Sequence, residues 1–169
     1  MSRILVVYFS RTGYTRRVAE SLAQRLGAQL APIDEPRSRR GILGYIRSAR
    51  EAMRRAEVEI TAPAADPGEF DLVLIGTPVW ASHASPPART LALRWQGRVK
   101  RVALFCTLGG SGAEAALAEL QLAIGQAPVA TLALTDRKID AGTAATKLDA
   151  FVAALGAVAM PPVALKRAA

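Results

Sequence analysis

Short, nearly continuous apolar runs alternate along this chain with longer segments in which apolar residues return every third or fourth position. The first kind suits strands buried on both faces of a parallel sheet; the second suits helices with one buried stripe. Ile4-Leu5-Val6-Val7-Tyr8-Phe9 opens the series, and Arg16 to Leu26 follows with apolar residues at 18, 22 and 26. Strands are predicted over 3–9, 28–33, 71–76, 100–106 and 128–134, and helices over 14–26, 42–56, 85–95, 112–124 and 142–157. Pro32 marks the second strand as an edge, because proline cannot donate to a ladder. The alternation argues for one doubly wound α/β domain over 1–160 with right-handed crossovers, followed by a tail over 161–169. Ligands of such sheets bind outside the carboxyl ends of the strands. Three loops leave those ends: 10–15, 77–84 and 107–112.

Composition narrows the setting. The chain has 169 residues, 51% of them hydrophobic, enough for a real core. Its single cysteine, Cys106, precludes an intrachain disulfide and suits a reducing compartment. The apolar N-terminal run is needed as a strand, so it is not read as a signal peptide. The uncharged stretch from Ala150 to Leu165 is broken by Pro161-Pro162 and falls short of the roughly 20 apolar residues of a spanning helix. A soluble, cytoplasmic protein with no transmembrane segment is expected. Net charge is +8, and residues 1–60 carry 12 basic against 6 acidic side chains. No nucleic-acid motif accompanies that charge, so it is read as arginine-rich composition and no nucleic-acid partner is expected. Within the predicted helix 42–56, Arg47, Arg50, Arg54 and Arg55 interleave with an apolar stripe. A solvated crossover helix is favoured there over a basic docking surface.

The chemistry gathers at the three loops. The first, Ser10-Arg11-Thr12-Gly13-Tyr14-Thr15, places three hydroxyls and a glycine between a buried strand and a helix start. Backbone N–H groups and the helix dipole converge on an anion in that geometry, so the loop is read as a phosphate holder. Simple turn and cap chemistry is the weaker reading, because three hydroxyls share one short loop. The second loop, Gly76-Thr77-Pro78-Val79-Trp80-Ala81-Ser82-His83, puts a proline and a tryptophan right after a buried strand. Trp80 is read as a surface on which a planar ring stacks. The third, Cys106-Thr107-Leu108-Gly109-Gly110-Ser111-Gly112, has three glycines that let backbone approach a ligand. Cys106 itself reads as a small buried hydrophobe at a strand end. His83 is a candidate proton donor, set against a loop histidine without a role. No metal site is expected.

Together these segments resemble the flavodoxin-like superfamily in its short-chain form. Ser10-x-Thr12-Gly13-x-Thr15 is similar to the FMN-phosphate loop of that family, and Gly76 to Trp80 and Cys106 to Gly112 are similar to its two isoalloxazine loops. The resemblance spans nearly the whole chain. It implies a flavodoxin-like three-layer sandwich with a five-stranded parallel sheet, order 2-1-3-4-5, and FMN bound without a covalent link. It implies that Ser10, Thr12 and Thr15 bond phosphate oxygens, helped by backbone amides of Arg11, Gly13 and Tyr14. Thr77, Pro78, Val79 and Trp80 would pack one edge and face of the flavin, and Thr107, Leu108, Gly109 and Gly110 the other.

The chain departs from the family pattern in ways that bear on mechanism. Tyr14 stands where members often carry Asn, and 106–112 lack the aromatic with which many carriers cover the outer flavin face. Loops 77–84 and 107–112 contain no Asp or Glu, so an anionic reduced flavin would meet little repulsion from them. These features favour an FMN-dependent oxidoreductase moving two electrons from NAD(P)H to a quinone or similar acceptor. The alternative is a flavodoxin-type single-electron carrier without a substrate of its own. The lack of a glycine between Thr77 and Ala84 weakens it, since carriers usually flip a glycine peptide there. The enzyme reading also allows a homodimer. A phosphorylation receiver would need acidic residues after the first strand, and a small tyrosine phosphatase would need arginine six residues after Cys106. Phe9-Ser10-Arg11 and Gly112 supply neither.

Overall fold

A computed structural model describes residues 2–36, 50 and 57–159. In chain order the elements are β1 (Ile4–Tyr8), α1 (Tyr14–Leu26), β2 (Gln29–Pro32), β3 (Leu72–Trp80), β4 (His83–Ala84), α2 (Pro86–Trp95), β5 (Val102–Leu108), α3 (Ala113–Ile124), β6 (Thr131–Thr135), α4 (Asp136–Asp140) and α5 (Ala145–Ala159). The parallel strands lie in the order β2-β1-β3-β5-β6, the expected doubly wound arrangement of five. A sixth strand, β4, is an addition: two residues pair antiparallel with the end of β3. The predicted helix over 42–56 and the tail over 161–169 lie outside the described residues, apart from Arg50. No described helix is long and apolar enough to cross a membrane.

The period of two along each central strand divides the core between two faces. Leu5 and Val7, Val73 and Ile75, and Leu104 face α2 and α3, where they meet Leu91, Trp95 and Leu120. Val6, Leu74, Ala103 and Phe105 face α1 and α5, where they meet Leu22, Leu148 and Phe151. This is why the strands read as unbroken apolar runs and the helices as single stripes: both sheet faces are covered, and each helix covers with one side.

Two boundaries differ from expectation, and both matter for the site. β3 continues to Trp80 and β5 to Leu108, so Thr77, Pro78, Val79, Trp80, Thr107 and Leu108 are strand residues. Pairing carries on past the expected ends, with Thr77 opposite Cys106 and Pro78 opposite Thr107. Proline is tolerated there because it needs to give up only one ladder donor near the strand's end. The helix expected over 142–157 is present as α5, and the five-residue α4 that precedes it is an addition. Gly142, at φ +68°, turns the chain between them.

The β3–β4 connection is a two-residue hairpin in which Ala81 (φ +49°) and Ser82 (φ +65°) both take left-handed backbone. Positive φ at both central residues is the type I′ signature, which asparagine and glycine suit far better. Ala81→Asn with Ser82→Gly should therefore stabilise the fold by about 1–2 kcal/mol, read as a higher urea midpoint. An unchanged midpoint would contradict the left-handed assignment.

Candidate functional site

The carboxyl ends of β1, β3 and β5 bring the three loops together, as the strand order requires. In the first loop the chain turns between Tyr8 and α1. Ser10 Oγ accepts a hydrogen bond from Gly13 N at 3.1 Å, and Gly13 takes φ +99° to start the helix. Gly13, at the N-cap of α1, offers no capping side chain. Ser10 and Arg11 are half-buried and Thr12 is exposed. Thr15 points inward, only 1% exposed, and its Oγ1 lies 2.8 Å from that of Thr107, itself 2% exposed. The pair ties the first loop to the end of β5. Two hydroxyls bring two protons to one shared bond, so one proton remains to be donated, and neither hydroxyl has another partner among the described residues.

The second segment corrects the expected division of labour. Thr77 is fully buried, and its Oγ1 accepts from Ser85 N at 2.9 Å and lies 3.0 Å from Ser85 Oγ. Its side chain staples β3 to the start of α2 and offers no surface to a ligand. Trp80 is only 7% exposed and meets Phe9 edge-to-face, ring centroids 5.7 Å apart. The Arg11 guanidinium lies 5.9 Å from its ring centre, joining the first loop to the second. Trp80 is thus a core residue at a strand end, not an open platform. Pro78 and Val79 between them are half-exposed and are the side chains this segment presents.

In the third segment Leu108 is buried, whereas Gly109 and Gly110 are exposed. Gly112, at φ +96°, starts α3 so close to the hairpin that a Cβ there would lie 2.5 Å from Ser82 Cα. The second and third loops therefore pack on each other through a residue that must be glycine. Cys106 is fully buried in β5, and desolvation pushes its thiol up to about 12. Native protein should resist a thiol reagent at pH 8 and react fully once unfolded; prompt native labelling would show the strand end to be open.

Carboxylates reach this region from elements outside the loops, although the second and third loops themselves hold none. Asp136 Oδ2 lies 3.7 Å from where a side chain on Gly109 would begin. Burial, followed by the charge of Asp140, raises the Asp136 carboxyl above the usual range. Tyr14 donates to Asp140 Oδ2 at 2.7 Å, and Arg17 donates to Asp140 Oδ1 at 2.8 Å. The Tyr14 hydrogen bond, with the arginine, lowers the Asp140 carboxyl; the same bond raises the Tyr14 phenol. The side chain of Tyr14 is thereby directed to α4.

His83 has a partner that the loop sequences did not reveal. Its Nδ1 lies 2.5 Å from Oε1 of Glu119, and Glu119 Oε2 accepts from Ala84 N at 3.2 Å. Glu119 is 9% exposed, so β4 is anchored to α3 by a buried carboxylate. The signal was present: an acidic residue interrupts the apolar stripe of 116, 120, 123 and 124 on α3. Asp136 and Asp140 gave no comparable signal, because α4 is too short to show a periodicity.

Comparison with known proteins agrees with this fold. The family model described as Flavodoxin matches residues 3–153. Among solved structures, a Bacteroides eggerthii protein described as a flavoprotein is 27% identical, with 95% of this chain and 100% of that chain covered and a TM-score of 0.73. A Bacteroides uniformis protein described likewise is 25% identical over 80% of this chain and 91% of that one, TM-score 0.69. A flavoprotein of Lactobacillus acidophilus, solved in complex with FMN, is 21% identical over 83% and 97%, TM-score 0.70, and shares the fold. No curated protein matches.

Proposed function

Because the chain belongs to the flavodoxin family, we propose that it binds FMN where its three loops meet and works as a flavin oxidoreductase. The observation that carries this reading is the Thr15–Thr107 hydroxyl pair, which joins the two loops a phosphate and a ring would occupy and keeps a proton to donate. The phosphate falls to Ser10 and Thr12, the amides of Arg11 and Tyr14, and that spare proton, while the Gly13 amide holds Ser10 Oγ in place. Amides and hydroxyls at a helix start suit an anion because they point at it and lie at the positive end of the helix dipole. The ring fits between half-exposed Pro78 and Val79 on one side and open backbone at Gly109 and Gly110 on the other. The FMN held by the Lactobacillus acidophilus structure supports the choice of ligand.

When bound, FMN supplies the redox chemistry, and the protein supplies position and electrostatics. The glycines of the third loop leave room for a second planar molecule, so the reaction is assigned as electron transfer from NAD(P)H to a quinone or similar acceptor. Glu119 engages Nδ1 of His83, which leaves Nε2 as the nitrogen that can hand a proton to an acceptor oxygen. Stopped-flow mixing of the FMN-loaded protein with NADH or NADPH tests the assignment: rapid bleaching of the flavin by either is expected, and no bleaching by both would sink it.

One observation favours the single-electron carrier instead. Asp136 and Asp140 stand close to the third and first loops, and a carboxylate near the ring would penalise a reduced anion. Absence of bleaching together with stepwise photoreduction would decide for that reading.

A further inference from the structure

Beside the third loop lies a cavity of about 440 Å³ lined by Gly109, Thr135, Arg137, Lys138, Ala141 and Thr143. We propose that this cavity binds the phosphorylated end of NADPH, the adenosine 2′-phosphate, and so makes the protein selective for NADPH over NADH. The proposal rests on the flavin reading above, and it adds a donor site that the three flavin loops do not contain.

Four features converge on an anionic, nucleotide-sized ligand. The volume falls within the range of small-molecule sites. Arg137 and Lys138 are adjacent exposed cations, and neither has an ion-pair partner among the described residues. That sets them apart from Arg3, Arg16, Arg17, Arg25, Arg98 and Lys100, each of which faces a carboxylate. Thr135 Oγ1 accepts from Lys138 N at 3.4 Å and keeps its own proton to donate. Finally, Gly109 belongs both to the cavity wall and to the open backbone of the third loop. A dinucleotide with its nicotinamide at the flavin can therefore run over Gly109 and place its far phosphate against the two cations.

The nearby carboxylates do not oppose this arrangement. Asp140 is committed to Tyr14 and Arg17 on α1. Asp136, whose Oδ2 lies 3.7 Å from where a side chain on Gly109 would begin, is not among the groups lining the cavity. A 2′-phosphate monoester is the part of NADPH that NADH lacks, and arginine recognises such a group through two parallel hydrogen bonds.

The test is calorimetric titration of the full chain with 2′,5′-ADP and with 5′-ADP, for wild type and for Arg137→Gln/Lys138→Gln. Wild type should bind 2′,5′-ADP about tenfold or more tightly than 5′-ADP, and the double variant should lose that preference. FMN fluorescence quenching by the same variant should match wild type, which shows that the fold and flavin site persist. Equal binding of the two nucleotides by wild type, or an undiminished preference in the variant, would overturn the proposal. A failure of the flavin reading looks different: FMN is not quenched by either protein, whatever the nucleotides do.

Discussion

Gly76→Ala should destabilise the protein by about 3 kcal/mol, at the upper end of what an overpacked core costs. The reason is specific. A Cβ on Gly76 would lie 2.1 Å from the ring of Phe105, which is the largest fully buried side chain and has no exposed path along which to move. Gly76 and Phe105 face each other across the β3–β5 ladder, so the ring fills the space that the missing side chain leaves. For a domain of this size the change corresponds to a fall in Tm of roughly 6–12 °C. Phe105→Leu alone should also destabilise, by leaving a cavity, but the two changes together should cost less than their sum, because the smaller side chain makes room for the new methyl. Strict additivity would show that the clash is relieved elsewhere.

FMN should bind roughly a thousandfold more tightly than riboflavin, from about three charge-assisted hydrogen bonds of ~1.5 kcal/mol each to the phosphate. In the proposed site riboflavin would offer the same ring to Pro78, Val79, Gly109 and Gly110, so the difference isolates the first loop. Thr15→Val removes the hydroxyl that shares a bond with Thr107 and should weaken FMN by about tenfold while leaving riboflavin almost unaffected. Fluorescence titrations of both flavins check the pair of expectations. Riboflavin within about tenfold of FMN would mean that the first loop contributes little.

The parts of this fold that could be read directly were those whose period survives in the residues. The helix 14–26 emerged with the right ends because its stripe at 18, 22 and 26 is framed by Gly13 and Gly27, both of which take left-handed backbone. The alternation of elements pointed to a doubly wound domain, whereas the strand order was implied only by the family resemblance. The full length of β3 did not, because Pro78 reads as a breaker when pairing with β5 and the hairpin in fact carries the strand to Trp80. Trp80 looked like a ligand platform for the same reason; once it is a strand residue, its ring is carried inward onto Phe9. Thr77 and Thr15 show a further limit. A hydroxyl in a loop-like stretch can serve the ligand or the scaffold, and only the positions of Ser85 and Thr107 decide which atoms it reaches. Glu119 left a trace as the acidic residue inside the apolar stripe of α3, whereas Asp136 and Asp140 lie on a helix too short to show a period, so their approach to the site depends on packing that no local pattern encodes.

The proposed FMN site lies across the carboxyl ends of β1, β3 and β5. Backbone amide shifts of the isotope-labelled protein on adding FMN test it most directly. The largest changes should fall in residues 10–15, at Val79 and over 107–110, saturating at one FMN per chain. Unchanged amides in those segments, or changes confined to the groove of Arg89, Leu93 and Glu119 between α2 and α3, would contradict it.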